Sequence, residues 1–217
     1  MRWYCKCGVS TRELEEMLEE RGVAVDHTTI CRWTQRYAPE MEKRLRWCWR
    51  RPRSTSWRVD EADVKVRGCW AYLYQAMDKH GDTVDFHLSP TRNPKAAKRL
   101  LAKALRGLRA LERPKVINTD KAPTYGLAIA TLMKEGKLGP DTQHRQVQYP
   151  NNIVEADHGK LKRLVRPTLG FQSLRTAYVT IKGFEVMRAL KKGQGSLSVP
   201  ARCRGEVSLV HRAFGLT

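Results

Sequence analysis

The sequence predicts an α/β fold, a mixed sheet flanked by helices, preceded by a small all-α region. Two patterns predict it. From residue 57 onward, stretches that alternate like strands give way to stretches with helical spacing, as expected of a sheet covered by helices. Before residue 43, the apolar residues recur at helical spacing. Hydrophobic residues make up 41% of the chain, which is enough to bury a core.

The N-terminal region, residues 1–42, contains two predicted helices joined by a short turn. A capping-box pattern at Ser10 begins the first helix, and Gly22 ends it. Asp26 caps the second helix, which we expect to end just before Pro39. Two short helices with a Gly-containing turn are typical of a helix-turn-helix.

The second predicted helix has an apolar face and a polar face. Ile30, Trp33 and Tyr37 are expected to face inward. The other face carries hydroxyl, amide and guanidinium groups, which suit the major-groove edges and phosphates of DNA. These candidate DNA-binding residues are Thr28, Thr29, Arg32, Gln35 and Arg36. A helical hairpin with a solvated polar face is the alternative interpretation.

The chain is strongly basic. Its 217 residues include 41 Lys and Arg against 22 Asp and Glu, a formal charge of +19. Such an excess repels itself unless a polyanion neutralises it, and nucleic-acid backbones are the commonest partner of that kind. Residues 43–56 are especially basic and contain the Pro and Ser residues of a linker. The alternative is a ribosomal-type protein, or one kept soluble by its charge.

Cellular location and redox state are inferred from what the sequence lacks. The first residues form no apolar signal segment, and no stretch approaches the about 20 apolar residues of a membrane helix. We therefore expect a cytoplasmic protein without a membrane partner. Of six cysteines, only Cys5 and Cys7 are close, and no second pair completes a four-ligand zinc site. We interpret all six as reduced thiols.

The α/β pattern spans residues 57–192, and a C-terminal tail of residues 193–217 follows it. Three strands form a predicted meander, and two more follow; they lie at 57–66, 69–77, 83–88, 115–120 and 144–149. Predicted helices lie at 93–111, 125–134 and 174–192, with another begun by Asn151 or Asn152. This element order is that of a ribonuclease H-like fold.

Three carboxylates occupy unusual positions in this pattern. Asp60 interrupts an apolar run in mid-strand, where a charge is costly unless it is paired or bound to metal. Asp120 ends a buried strand, at the edge where α/β proteins bind ligands. Glu155 follows near the start of a helix. Each acid alone is better explained by capping or a salt bridge. Together they match a nuclease site for two Mg²⁺ ions, with Mn²⁺ as a substitute.

Several motifs then point to one family. WRVDE, VINTDKAPTYG and NNIVEADHGKLKR, with IKGFEVMRAL behind them and DHTTICRWTQRYAPEMEKRL ahead, resemble the transposases of the insertion sequence 6 family. The resemblance implies a helix-turn-helix followed by a ribonuclease H-like catalytic domain that moves DNA by forming cointegrates. It implies that Asp60, Asp120 and Glu155 are the metal-binding catalytic triad. It also implies as partners the terminal inverted repeats, target DNA and at least a second copy of the chain.

Three further residues near the triad are candidates for contacting DNA. Lys162 lies two helical turns after Glu155 and returns to its face, where it can hold a phosphate at the transposon end. Lys121, beside Asp120, is expected to contact phosphate. His158 shares the Glu155 face, and its role is either DNA contact or a structural hydrogen bond.

Neighbouring acids and departures from the family leave other functions open. Glu61 is expected to face away from Asp60, and Asp157 is a weak ligand candidate. Ala62-Asp63 stands where the family usually has a Thr-Tyr-like pair, and an acid at position 63 could loosen the core. The family often has an extension ahead of the first residue, which we expect to be missing. The alternatives are a truncated or catalytically weak remnant that represses its own element, and a structure-specific nuclease.

The last predicted helix, residues 174–192, has more apolar residues than one stripe needs. We expect the excess, Phe184 or Val186, to be left for a second subunit. The alternative is that the whole helix is buried within one subunit.

Overall fold

The computed structural model describes residues 1–45, 54–146, 152–194 and 205–215, without the side chains of residues 152–157. The chain forms two compact units. The helical unit comprises Met1–Arg50 and Lys160–Thr217, and the sheet unit comprises Arg51–Gly159. This division differs from the predicted domains, whose limits stay a prediction. Among the described residues, no helix has the length and apolar character needed to cross a membrane.

Eight α-helices and five strands form most of the described part of the chain. The helices are α1 (Arg2–Cys7), α2 (Thr11–Glu19), α3 (His27–Leu45), α4 (Pro94–Ala104), α5 (Pro123–Lys134), α6 (Asn152–Val165), α7 (Leu174–Lys191) and α8 (Glu206–Ala213). The strands are β1 (Ser56–Val66), β2 (Cys69–Asp78), β3 (Thr83–Ser89), β4 (Val116–Thr119) and β5 (Gln143–Gln146).

The sheet has the order β3-β2-β1-β4-β5. β1, β2 and β3 are an antiparallel meander, whereas β4 runs parallel to β1 and β5 parallel to β4. Only Arg67 and Gly68 connect β1 to β2, with φ of 51° and 77°. Positive φ at both positions suits a two-residue hairpin, because its twist matches that of the strands. The sheet order and strand directions confirm the predicted ribonuclease H-like arrangement.

Helices α4 and α5 pack on one face of this sheet. Their apolar side chains, among them Leu100 and Tyr125, form a core with side chains of β1, β2 and β4. Those strand residues include Trp57, Val59, Tyr74 and Ile117. Asn93 begins α4, since its side-chain oxygen accepts a hydrogen bond from the backbone N–H of Ala96 at 2.8 Å. α4 is shorter than the predicted helix of residues 93–111, because Gly107 has a positive φ and Leu111 is 87% exposed.

The helical unit confirms the two N-terminal helices and corrects the end of the second. The capping box of Ser10 and Glu13 is present at the start of α2. α3, however, continues through Pro39 to Leu45. A proline inside a helix removes one hydrogen bond. The continued helix buries Met41 and Leu45 on the face that already carries Ile30, which compensates for the loss.

Helix α7 packs against α1 and α3 of the same unit. Phe184 and Val186 are only 0% and 2% exposed, and the Phe184 ring lies 5.7 Å from that of Tyr4. The prediction that either residue is left for a second subunit is therefore wrong. Burial within one subunit accounts for the apolar residues of this helix.

Gly183 lies where α7 packs closely against α1 and α3. A Cβ at this position would lie 2.9 Å from the Sγ atom of Cys5 and 3.0 Å from the Cβ atom of Ala38. We expect Gly183→Ala to lower the free energy of unfolding by about 1–2 kcal/mol, because overpacking outweighs the gain in helix propensity. Urea denaturation measures the change. Gly159→Ala, in a helical position with open space around it, is the matched control and should not destabilise the protein. A Gly183→Ala protein as stable as the wild type would contradict the close packing.

Candidate active site

Asp60 lies in the middle of β1, opposite the fully buried Gln75 of β2. Its side chain is 14% exposed. The backbone N–H of Glu61 donates a hydrogen bond to the Oδ1 atom of Asp60 at 2.8 Å. This bond holds the carboxylate group in one orientation.

Asp120 directly follows β4, the strand beside β1. Arg58 and Asn118 are partners in the parallel register of the two strands, so Asp60 and Asp120 each lie two residues further along neighbouring strands. The backbone N–H of Ala122 donates to the Oδ1 atom of Asp120 at 3.1 Å. Each aspartate is thus oriented by a backbone N–H that follows it closely in the chain.

The hydroxyl of Tyr125, at the start of α5, is affected by the charges of both carboxylates. Burial, followed by the negative charges of Asp60 and Asp120, raises the pKa of its hydroxyl well above the ordinary value. The two charges affect this hydroxyl because the surrounding core is apolar and screens them poorly. Both aspartates therefore lie near the Tyr125 hydroxyl.

His158 and Glu155 are carried by α6. The His158 side chain is buried, and its Nδ1 atom lies 3.8 Å from the Oδ2 atom of Asp60. The Glu155 side chain is outside the described residues. Its place in the triad, and the DNA contact of His158, stay predictions.

Glu61 and Asp63 point to the face of β1 opposite Asp60, as expected from strand alternation. Asp63 is exposed, so the expectation that it loosens the core is wrong. Glu61 is instead buried, with only 4% of its side chain exposed, and it pairs with Arg92. The alternation in the sequence predicted the direction of Glu61, but its burial among core residues was missed.

Two polar residues beside the aspartates were also missed. Gln75 is fully buried opposite Asp60. His144 of β5 shares a hydrogen bond of 2.9 Å, from its Nε2 atom to the Oγ1 atom of Thr119, and burial lowers its pKa. Thr119 Oγ1 also donates to the backbone oxygen of Asp120 at 2.8 Å. The sequence indicated Gln75, because it is a polar residue inside an otherwise apolar strand. No feature of the sequence indicated His144.

The candidate DNA-binding residues of α3 divide into two groups. Arg32 and Arg36 are exposed, and the Arg36 guanidinium lies 5.4 Å from the ring centre of Tyr37. Thr28 is exposed, but its side chain is used locally, because its hydroxyl donates to the Asp26 carboxylate, as does its backbone N–H at 3.2 Å. The amide nitrogen of Gln35 donates to Thr180 of α7 at 2.8 Å.

Gln35 therefore packs against α7 instead of lying on the open polar face. Thr29 is half-buried. Trp33, predicted to face inward, is 39% exposed. This inward prediction is wrong because the buried face of α3 runs through Thr34 and Ala38 instead.

Both candidate lysines are exposed. Lys121 follows Asp120 in the sheet unit, and Lys162 lies on the part of α6 that belongs to the helical unit. Solvent-exposed ammonium groups can reach a phosphate backbone. Their phosphate contacts stay predictions.

The oxygen atoms of Asp60 and Asp120 are suitable ligands for a divalent metal ion. Carboxylate oxygens are hard donors of the type that Mg²⁺ prefers. In both carboxylates the orienting backbone N–H is accepted by the Oδ1 atom. Two oriented carboxylates at adjacent strands therefore fit a metal centre.

Comparisons with known proteins agree with this geometry. Residues 54–194 match the family DDE_Tnp_IS240, described as a DDE domain. The transposase for insertion sequence-like element IS431mec of Staphylococcus aureus is 37% identical over 201 residues, covering 91% of this chain and 85% of that protein. The transposase for insertion sequence element IS257 in transposon Tn4003, from the same species, is 36% identical over the same coverage.

A solved structure is also similar over part of the chain. It is the HTLV-2 integrase catalytic core domain in complex with magnesium, in its trimeric form. The TM-score is 0.43 and the identity 16%, over 62% of this chain and 84% of that one.

The sheet order, the paired aspartates and the matched DDE domain define a DNA transposase with a ribonuclease H-like catalytic domain. The sequence relatives then decide its family. The chain belongs to the DDE transposases of the insertion sequence 6 family, and its function is DNA transposition of an insertion sequence.

Proposed function

We propose that this transposase cuts and joins DNA at a site for two Mg²⁺ ions held by Asp60, Asp120 and Glu155. The single observation that carries the proposal is the pair of aspartates on adjacent strands, each oriented by a backbone N–H. A carboxylate held in this way loses little conformational freedom when it binds a metal ion. The start of α6 supplies Glu155, on the same helix as the buried His158.

The proposed reaction has two steps. Water attacks a phosphodiester at the end of the element, so that a new P–O bond forms while the bond to the 3′ oxygen breaks and a 3′-OH is released. That hydroxyl oxygen then attacks a phosphorus atom of target DNA and displaces the target's own 3′ oxygen. When bound, two metal ions stabilise the attacking and leaving oxygens of each step. The product expected from the family resemblance is a cointegrate.

The residues of this chain hold and orient the reacting groups. Asp60 and Asp120 present their oxygens, and the N–H groups of Glu61 and Ala122 fix those carboxylates. His158 faces the Oδ2 atom of Asp60 and, when protonated, balances part of the local negative charge. Lys121 and Lys162 contact backbone phosphate.

DNA selection is proposed to rest on the exposed arginines of α3. We expect Arg32→Ala to weaken binding to terminal-repeat DNA by about 1–3 kcal/mol, because a guanidinium that reads a base edge contributes that much to selectivity. Fluorescence anisotropy with terminal-repeat and random duplexes measures it. Arg12→Ala, which removes the same charge from an exposed position of α2, is the control. Equal losses on both duplexes would show that Arg32 contacts phosphate instead.

A strand-transfer assay tests the proposed chemistry. The full chain is incubated with a donor duplex ending in the terminal repeats of its element, a target plasmid and Mg²⁺. Nicking and joining are expected only with Mg²⁺ or Mn²⁺ and only with the terminal-repeat donor. Specific binding without nicking would favour the alternative of a DNA-binding repressor. Cleavage of branched junctions without terminal repeats would favour a structure-specific nuclease.

Assembly on DNA is the last part of the proposal. Joining two ends of an element requires two active sites held together, so the transposase is proposed to act as a homodimer or a larger assembly on DNA. Since Phe184 and Val186 are buried within the helical unit, the interface lies elsewhere. Light scattering in the presence of terminal-repeat DNA determines the number of subunits.

A further inference from the structure

Glu61 is a buried carboxylate on the core side of β1, immediately after Asp60. Burying an acid is costly unless partners satisfy it. Both of its oxygens have partners: Arg92 pairs with Oε1, and the hydroxyl of Tyr125 donates to Oε2 at 3.3 Å. Arg92 is about half exposed and reaches in from the surface. Packing alone does not explain why a charged group occupies this core position of the strand.

The bond between Tyr125 and Glu61 joins the two backbone segments that hold the aspartates. Glu61 supplies the N–H that orients Asp60. Tyr125 is fully buried in the first turn of α5, which begins just after Ala122, the residue whose N–H orients Asp120. One side-chain hydrogen bond therefore connects the supports of both carboxylates.

We propose that Glu61 and Tyr125 are positioning residues that fix the separation of the Asp60 and Asp120 carboxylates. Arg92 balances the buried charge of Glu61 and holds its side chain. The inference rests on the proposed function, since the separation matters only if both carboxylates bind one metal centre. Mutation of a group that orients a metal ligand typically lowers metal affinity by roughly 10–100-fold.

Tyr125→Phe is the sharpest test, because it removes one oxygen atom and keeps the ring. The ring packs at 77° to that of Tyr74, with 6.3 Å between centroids, and this packing is retained. We expect Mn²⁺ to bind the full chain about tenfold more weakly, as measured by electron paramagnetic resonance of free Mn²⁺. The Mn²⁺ concentration for half-maximal nicking should rise by a similar factor, while the rate at saturating Mn²⁺ changes little.

Two further variants make the result specific. Tyr74→Phe removes the same atom from the neighbouring buried ring and should leave Mn²⁺ binding unchanged. Glu61→Gln keeps the shape of the side chain but loses the charge that holds Arg92, and it should weaken Mn²⁺ binding as well. If Tyr125→Phe fails to fold, Glu61→Gln decides the question.

The outcomes separate this inference from the function on which it rests. If wild type and Asp120→Asn bind Mn²⁺ equally, or neither binds it, the proposed metal site is wrong. If Asp120→Asn loses Mn²⁺ while Tyr125→Phe and Glu61→Gln bind it like the wild type, the positioning role is overturned and the metal site stands. Equal weakening by Tyr74→Phe would also overturn it, because any change in the core would then have the same effect.

Discussion

Asp120→Asn should abolish strand nicking and strand transfer. The amide keeps an oxygen that can accept the N–H of Ala122, so the loop after β4 is expected to keep its shape. It loses the negative charge needed to bind Mg²⁺, and with it several kcal/mol of transition-state stabilisation, on the order of 10³-fold in rate or more. Product formation in the strand-transfer assay, followed over hours on a sequencing gel, measures the loss.

Asp63→Asn is the matched control for this variant. It makes the same chemical change on β1, at an exposed position on the face away from Asp60. Its activity should equal that of the wild type. Full activity of Asp120→Asn would rule out the proposed catalytic site, and a loss in both variants would point to net charge instead of metal binding.

Binding of the full chain to DNA should depend steeply on salt. With a formal charge of +19, many of its 41 basic residues can displace counterions from phosphates. Between about 50 and 200 mM salt we expect the association constant for terminal-repeat DNA to fall by about 10³-fold or more, the size expected for some six or more phosphate contacts. Fluorescence anisotropy at a series of salt concentrations gives the slope.

Random duplex DNA is the reference in this titration. Phosphate contacts carry no base information, so its slope should be similar even though its affinity is lower at every salt concentration. An association constant that stays flat across the series would contradict electrostatic binding of DNA by this chain.

The sequence predicted the sheet and the positions of its aspartates because these depend on local patterns. Alternation placed Asp60 inside β1, and the end of a short apolar run placed Asp120 just after β4. Ser10 and Gly22 marked the two ends of α2 correctly, since capping and positive φ are also local. Two helix ends were predicted wrongly: α3 continues through Pro39 to Leu45, and the apolar spacing of α4 continues past the actual end of that helix.

The errors arose where distant parts of the chain decide the outcome. Trp33 and Gln35 were placed by a helical wheel, but which stripe of α3 is buried depends on how α7 packs against it. The same contact hides Phe184 and Val186. Pro39 is tolerated because Met41 beyond it gains burial, which no local rule contains.

The tight hairpin at Arg67 and Gly68 has a consequence for how this gene can change. A two-residue turn permits only one register of β1 and β2. The pairing of Asp60 with Gln75 therefore depends on the number of residues between Asp60 and the turn. One inserted or deleted codon between Asp60 and the turn would exchange the faces of Asp60 and Glu61, turning the aspartate into the core. Substitutions such as the one at Asp63 leave that count intact. Over generations, the hairpin can therefore vary in composition far more freely than in length.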